Sequence, residues 1–353
     1  KQKTAYELGV RLVGSEMCIR DSNMRDNPIK ATVDFNLDGT QHGFLKVPYS
    51  GDDSAWGAIM VPVTVVKNGQ GPTALFTGAN HGDEYEGPIA LWCLAAELSA
   101  ERINGRVIIV PAMNYPAFKA GKRTSSIDGG NMNRMFPGDP NGTITEIIAD
   151  YFSRTLLPLA DYVVDIHSGG KTLEFVPFAC AHVLDDKEQQ ARCVAAMAAF
   201  NAPYSMMLLE LDAAHMYDTA AENQGKVFVS TEIGGGGSAD ATSTGIAKRG
   251  ISNVLMHAGI LPGEPERHSS INVDSHDEDC FVTCEHSGLL EMRNDLGDEV
   301  QKGDLIAVIH DMERTGTAPV EYHAKVDGIL VGRHYPCLAK PGDNLAVVAL
   351  KGD

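Results

Sequence analysis

His81 and Glu84 stand three residues apart in the run Thr77-Gly78-Ala79-Asn80-His81-Gly82-Asp83-Glu84. An imidazole and a carboxylate at that spacing on a turn can face a single point, which suits two of the four ligand positions of zinc. A surface His and Glu in a glycine-rich turn would look the same, so the pair needs support from further along the chain. His167 gives that support, in Asp165-Ile166-His167-Ser168-Gly169. Two histidines and one carboxylate, with a fourth position left to water, form the pattern of a hydrolytic zinc site. Asp165 shares a strand face with His167 and can orient it from behind. A buried salt bridge is the equal alternative for that residue.

A carboxylate for proton transfer is also present. Glu232 precedes four glycines in Thr231-Glu232-Ile233-Gly234-Gly235-Gly236-Gly237. Glycines leave the backbone uncluttered and free to adopt positive φ. A glutamate there can take a proton from water and pass it to a leaving amine; the bland alternative is a flexible loop with an incidental acid. Asn133 and Arg134, in Asn131-Met132-Asn133-Arg134-Met135-Phe136, can clamp a carboxylate, the guanidinium offering paired donors. Arg123 stands on a Gly/Ser-rich loop, where it either polarises a carbonyl or is a solvated surface charge.

These residues must be positioned by the elements around them. Short apolar runs at residues 72–76, 107–111, 162–166 and 227–231 read as buried strands. Helical spacing is found at residues 88–98, 144–157, 187–200 and 243–258. Alternating strands and helices imply an α/β layer fold with a mainly parallel sheet. Ligands bind beyond the carboxyl ends of such strands, and His81, His167 and Glu232 all fall at or just past those ends. Residues 57–66 form a further long apolar strand. Residues 261–279 are turn-rich and read as a linker. Beyond them the chain has short β-runs without helical period, and residues 274–353 hold 16 acidic residues against 7 basic. The expected organisation is a hydrolase domain over residues 24–265 and an all-β domain over 275–353. Met17-Cys18-Ile19-Arg20-Asp21-Ser22 looks like translated sequencing adapter, so residues 1–23 are expected to be an artefact or, failing that, a disordered tail.

Composition narrows the partners. The 353 residues carry a net charge of −18, with a pI near 5.0. Such a surface repels nucleic acid and anionic lipid, so neither is an expected partner. No apolar run is long enough to span a bilayer. The seven cysteines are odd in number and show no framework spacing, which fits reduced thiols and a cytoplasmic location.

Taken together, His81-Gly82-Asp83-Glu84, Asn133-Arg134, Asp165-Ile166-His167 and Glu232 resemble the succinylglutamate desuccinylase/aspartoacylase family, a relative of the zinc carboxypeptidases. The resemblance covers about residues 73–263. It implies a zinc-carboxypeptidase-like α/β/α domain that deacylates an N-acyl amino acid with one Zn2+ per chain. It implies His81, Glu84 and His167 as ligands, Glu232 as general base and then acid, and Asn133 and Arg134 as carboxylate binders. Within the family, residues 208–216 and the glycine-rich Glu232 loop look most like the ectoine-degradation branch, which deacetylates N-α-acetyl-L-2,4-diaminobutyrate. A substrate with a side-chain ammonium would want an acidic contact, and Glu210 or Asp212 is the expected source. The alternatives are an aspartoacylase or desuccinylase activity or, outside enzymes, a metal-free binding protein. Residues 288–290, 296–304 and 324–330 resemble a biotinyl/lipoyl hammerhead barrel. The stretch 310–320 lacks the modifiable lysine of such carriers, so this part is expected to act as a lid or assembly element, in a possible homo-oligomer.

Overall fold

Continuous apolar runs become the middle of a mixed sheet. The computed structural model describes residues 25–208 and 214–352; the expectation for residues 1–23 lies outside the described residues. Gly105–Val110, Thr73–Gly78, Tyr162–His167 and Val227–Gly235 lie side by side in that order, all parallel. Their side chains alternate between two faces, and both faces are covered. On one face Phe76, Ile109, Val164 and Val229 pack with residues of the helices Glu86–Glu97, Lys187–Phe200 and Ala241–His257. On the other, Leu75, Ile108, Val163 and Phe228 pack with the helix Ile144–Tyr151, the wider turn Phe152–Leu156 that continues it, and Tyr217.

The expected parallel sheet is found at the centre, but antiparallel pairings join it to both flanks. Gly39–Gly51 and Ser54–Asn68 form a long antiparallel hairpin against Gly105–Val110. Only Asp52 and Asp53 separate these two strands, and so short a connection permits only antiparallel pairing. Leu173–His182 likewise runs antiparallel to Val227–Gly235. It follows Tyr162–His167 after a connection too short for a parallel crossover.

The C-terminal strands join this sheet directly. Leu173–His182 pairs with Tyr204–Leu208, then Ile271–Asp274, Asn344–Lys351 and Gly328–His334, which pairs back to Leu173–His182. The pairings close a ring around Phe178, Cys180, Met206, Val273, Val331 and Val347. Residues 261–279 therefore include a sheet strand as well as turns. Only Val273 is fully buried within Ile271–Asp274, so the segment carries no visible hydrophobic period. A second sheet orders Val320–His323, Leu305–His310, Gly288–Met292 and Leu338–Ala339.

The turn that follows Thr73–Gly78 is held by close backbone approach. Ala79 has φ 47°, a left-handed conformation that is uncommon for a residue other than glycine. A side chain at Gly82 would drive into the backbone at Ala117 and Phe118, in the helix Tyr115–Ala120. Glycine is therefore required between His81 and Glu84 by space. Gly82→Ala is expected to destabilise the fold by about 1–3 kcal/mol, seen as a lowered denaturation midpoint. An unchanged midpoint would contradict this close packing.

Candidate metal centre and active-site cavity

Strand register builds one face of the site. Leu75, Val163 and Phe228 are neighbours across three parallel strands, and two residues on come Thr77, Asp165 and Ser230. Side chains two apart share a face, so the apolar row gives way directly to a polar one. The next step places His167 beside Glu232. Glu232 thus lies inside its strand, which continues through Ile233 to Gly235, instead of at its end. Gly234 to Gly237 all have positive φ, and a side chain at Gly235 would collide with the backbone of Leu173. The glycine run lets the chain turn close beside the site.

His81 and Glu84 arrive from the turn after Thr73–Gly78. Nδ1 of His81 is 2.7 Å from Oε1 of Glu84, and Nδ1 of His167 is 2.9 Å from Oε2. Glu84 is only 2% exposed. Behind the rings, Nε2 of His167 meets Oδ2 of Asp165 at 2.7 Å, and Nε2 of His81 meets Oδ1 of Asn131 at 3.2 Å. Asp165 is itself fixed: Thr77 Oγ1 donates to Oδ1 at 2.7 Å and Asn80 Nδ2 to Oδ2 at 2.9 Å. Asn131 Oδ1 also accepts from the Asn133 N–H. Both back partners are acceptors, so each Nε2 carries a hydrogen and, in a neutral ring, each Nδ1 turns a lone pair toward Glu84. Two lone pairs facing a buried carboxylate repel one another unless a cation or a proton lies between them.

The charges follow from this arrangement. Burial pushes the Glu84 carboxyl up, but His81 and His167 outweigh it and hold it well below the usual carboxylate range. Burial pulls the His167 imidazole down, yet Asp165 and Glu84 raise it well above its ordinary value. His81, where burial prevails over Glu84, is lowered. The centre therefore attracts positive charge. His81, Glu84 and His167 offer ligand atoms all within 4.8 Å of one another, and two imidazoles plus one carboxylate suit a divalent metal of the zinc type. The backing of His167 by a carboxylate is the arrangement that fixes tautomer and ring orientation in metal-binding histidines.

A cavity of about 290 Å3 opens over this cluster. Glu232 lines it, with Oε2 unpartnered by any hydrogen bond. Burial, and then repulsion from Glu84, raise its carboxyl to about 8 against the opposing pull of His167 and Arg123. Arg123 lines the same cavity, its Nη1 3.7 Å from Glu84 Oε1, and half its side chain stays exposed. Asn133 and Arg134 stand on the wall in the short helix Met132–Arg134. Asn133 Oδ1 accepts from the Tyr217 N–H at 2.9 Å, which leaves its NH2 group to serve as donor. The ring of strands closes the apolar end of the cavity with Phe178, Met206, Val331 and Val347, and Phe281 and Asn344 also reach it.

Sequence reasoning singled out His81, Glu84, His167, Asp165, Glu232, Arg123, Asn133 and Arg134, and the structure gathers all eight at one place. Glu210 and Asp212 lie outside the described residues. Asn131, Asn80 and Thr77 were not singled out, although each lies in or beside a motif that was. Their contacts depend on pairing between distant strands and turns. An Asp at 218 was not seen at all; it lines the cavity too.

Fold and site together define an α/β protein with a candidate mononuclear metal centre at the carboxyl ends of parallel strands. Residues 70–258 match the succinylglutamate desuccinylase/aspartoacylase catalytic domain family, and the chain belongs to that family. It is 56% identical over 335 residues to the N-alpha-acetyl-L-2,4-diaminobutyric acid deacetylase of Halomonas elongata, covering 94% of this chain and 98% of that protein. It is 62% identical to the ectoine utilization protein EutE (DoeB) of Ruegeria pomeroyi in its product-bound structure, with a TM-score of 0.91 over 92% of this chain and 100% of the other. A succinylglutamate desuccinylase structure from Silicibacter sp. TM1040 matches at 59% identity and a TM-score of 0.91, covering 93% and 100% of the two chains.

The support of His167 by Asp165 has a measurable consequence. Asp165→Asn is expected to weaken divalent-metal affinity by about 10–100-fold, read by competition with a chromophoric chelator. Affinity equal to wild type would remove Asp165 from this role.

Proposed function

We propose that this protein is a zinc-dependent deacetylase that hydrolyses N-α-acetyl-L-2,4-diaminobutyrate to acetate and L-2,4-diaminobutyrate, a step of ectoine breakdown. The observation that carries the reading is the meeting of the His81–Glu84–His167 cluster and the unpartnered Glu232 in one small cavity. The identity with the Halomonas elongata deacetylase supports this substrate. The cavity volume of about 290 Å3 is at the lower end of small-molecule sites, roughly 300–1,000 Å3. It suits a single acylated amino acid better than a peptide.

His81, Glu84 and His167 would hold the zinc ion, which when bound supplies Lewis acidity toward water and the acyl oxygen. The protein's own groups do the rest. Asn133, through its free NH2 group, and Arg134 receive the α-carboxylate and fix the amide over the cluster. Glu232 takes a proton from the attacking water as oxygen bonds to the acetyl carbon. Arg123 stands where its guanidinium can stabilise the charge that develops on the carbonyl oxygen. Glu232 then delivers its proton to the departing nitrogen as the C–N bond breaks, so acetate and a free amine leave. A carboxyl raised by burial is suited to this double duty, because it accepts and releases a proton near neutral pH.

In this reading the core is the zinc-carboxypeptidase-like α/β/α unit and residues 275–353 form a barrel of biotinyl/lipoyl type. Its role as a lid finds support in Phe281, Val331, Asn344 and Val347, which line the cavity.

Acetate release should be chelator-sensitive and fastest with N-α-acetyl-L-2,4-diaminobutyrate, compared with acyl release from N-acetyl-L-aspartate and N-succinyl-L-glutamate. Preference for a dicarboxylic compound would keep the hydrolytic chemistry and overturn the substrate. Glu232→Gln is expected to lower kcat by about 10²–10⁴-fold with the metal content retained. Near-normal kcat in that variant would remove Glu232 as the proton carrier.

A further inference from the structure

Away from the His–Glu–His cluster, the cavity wall carries another carboxylate, Asp218. It is 6% exposed. Oδ1 accepts from the Thr219 N–H and from Thr219 Oγ1, the latter at 3.1 Å. No basic side chain among the described residues forms an ion pair with it. A buried carboxylate without a counter-charge is costly unless a partner arrives with the ligand.

Its neighbour fixes its place. Tyr217 is fully buried, with ring centroids 4.8 Å from Phe136, 5.9 Å from Phe152 and 5.7 Å from Phe228. The Tyr217 N–H donates to Asn133 Oδ1. Asp218 is thereby tied to the wall that holds Asn133 and Arg134. Asn133, Arg134 and Asp218 line one cavity, so a ligand whose carboxylate sits on the first two has its cationic group, a few bonds away, in the space that Asp218 faces.

We propose that Asp218 is the specificity residue that receives the side-chain ammonium of the substrate across this cavity. The proposal rests on the diaminobutyrate reading above and adds the residue that selects it. The same carboxylate repels a substrate with an acidic side chain, so one group both favours the diamine and rejects N-acyl aspartate or glutamate. This assignment replaces neither Asn133 nor Arg134, which meet the opposite charge.

The test compares two substrates on zinc-loaded full-length enzyme. One is N-α-acetyl-L-2,4-diaminobutyrate; the other is N-acetyl-L-2-aminobutyrate, which has the same acyl amide and α-carboxylate but no ammonium. Wild type should favour the first. In Asp218→Asn, which keeps an oxygen acceptor for Thr219, the ratio of the two kcat/KM values should fall at least about tenfold, mainly through KM. Asp218→Ser repeats the test with a smaller side chain. A ratio preserved in both variants overturns the proposal, even if overall activity drops, because a merely structural role lowers both substrates together. A wild type without preference for the ammonium substrate would overturn the functional reading itself, a separate outcome seen before any variant is made.

Discussion

The parallel pairing of Tyr162–His167 with Val227–Gly235 sets His167 directly beside Glu232, and the rest of the site depends on that register. With the adjoining parallel pairing of Thr73–Gly78 and Tyr162–His167, it stacks Leu75, Val163 and Phe228 into the core and brings Thr77 against Asp165. A slip of one residue would turn every one of these side chains to the opposite face. Burying the apolar row therefore positions the polar row, and the core layer and the site are specified by one set of hydrogen bonds.

The second constraint is electrostatic. Glu84 is held between two imidazoles in a buried place, and those rings are held from behind by Asp165 and Asn131. Such a group is stable only with positive charge at its centre. The preference for a cation is thus built into the resting protein by the direction of its ring nitrogens. Glu232, whose Oε2 has no hydrogen-bond partner, and Arg123, half exposed beside Glu84, both face the cavity and are placed for chemistry. The C-terminal strands contribute differently: by closing a ring with Leu173–His182 they give the cavity its apolar end.

Much of the site was legible in the sequence because its residues sit at the ends of apolar runs. His81 follows one strand, His167 ends another, and Glu232 precedes glycines whose positive φ marks a turn. The Lys187–Phe200 helix follows directly from its spacing. The ring of strands was not legible, since Ile271–Asp274 has a single buried Val273 and joins partners far away in the chain. The long hairpin made the sheet mixed where alternation of strands and helices suggested a mainly parallel one. Asn131 behind His81 and Asp218 in the cavity wall were hidden for a similar reason: local sequence carries no sign of what a side chain meets after folding.

The central claim is that His81, Glu84 and His167 form a one-metal centre. Cobalt(II) titration of the metal-free protein, followed by visible absorption, tests it most directly. The account predicts ligand-field bands that saturate at one equivalent per chain and vanish in both His81→Ala and His167→Ala. Absence of saturable bands in the wild type, or bands that persist unchanged in both variants, would contradict it.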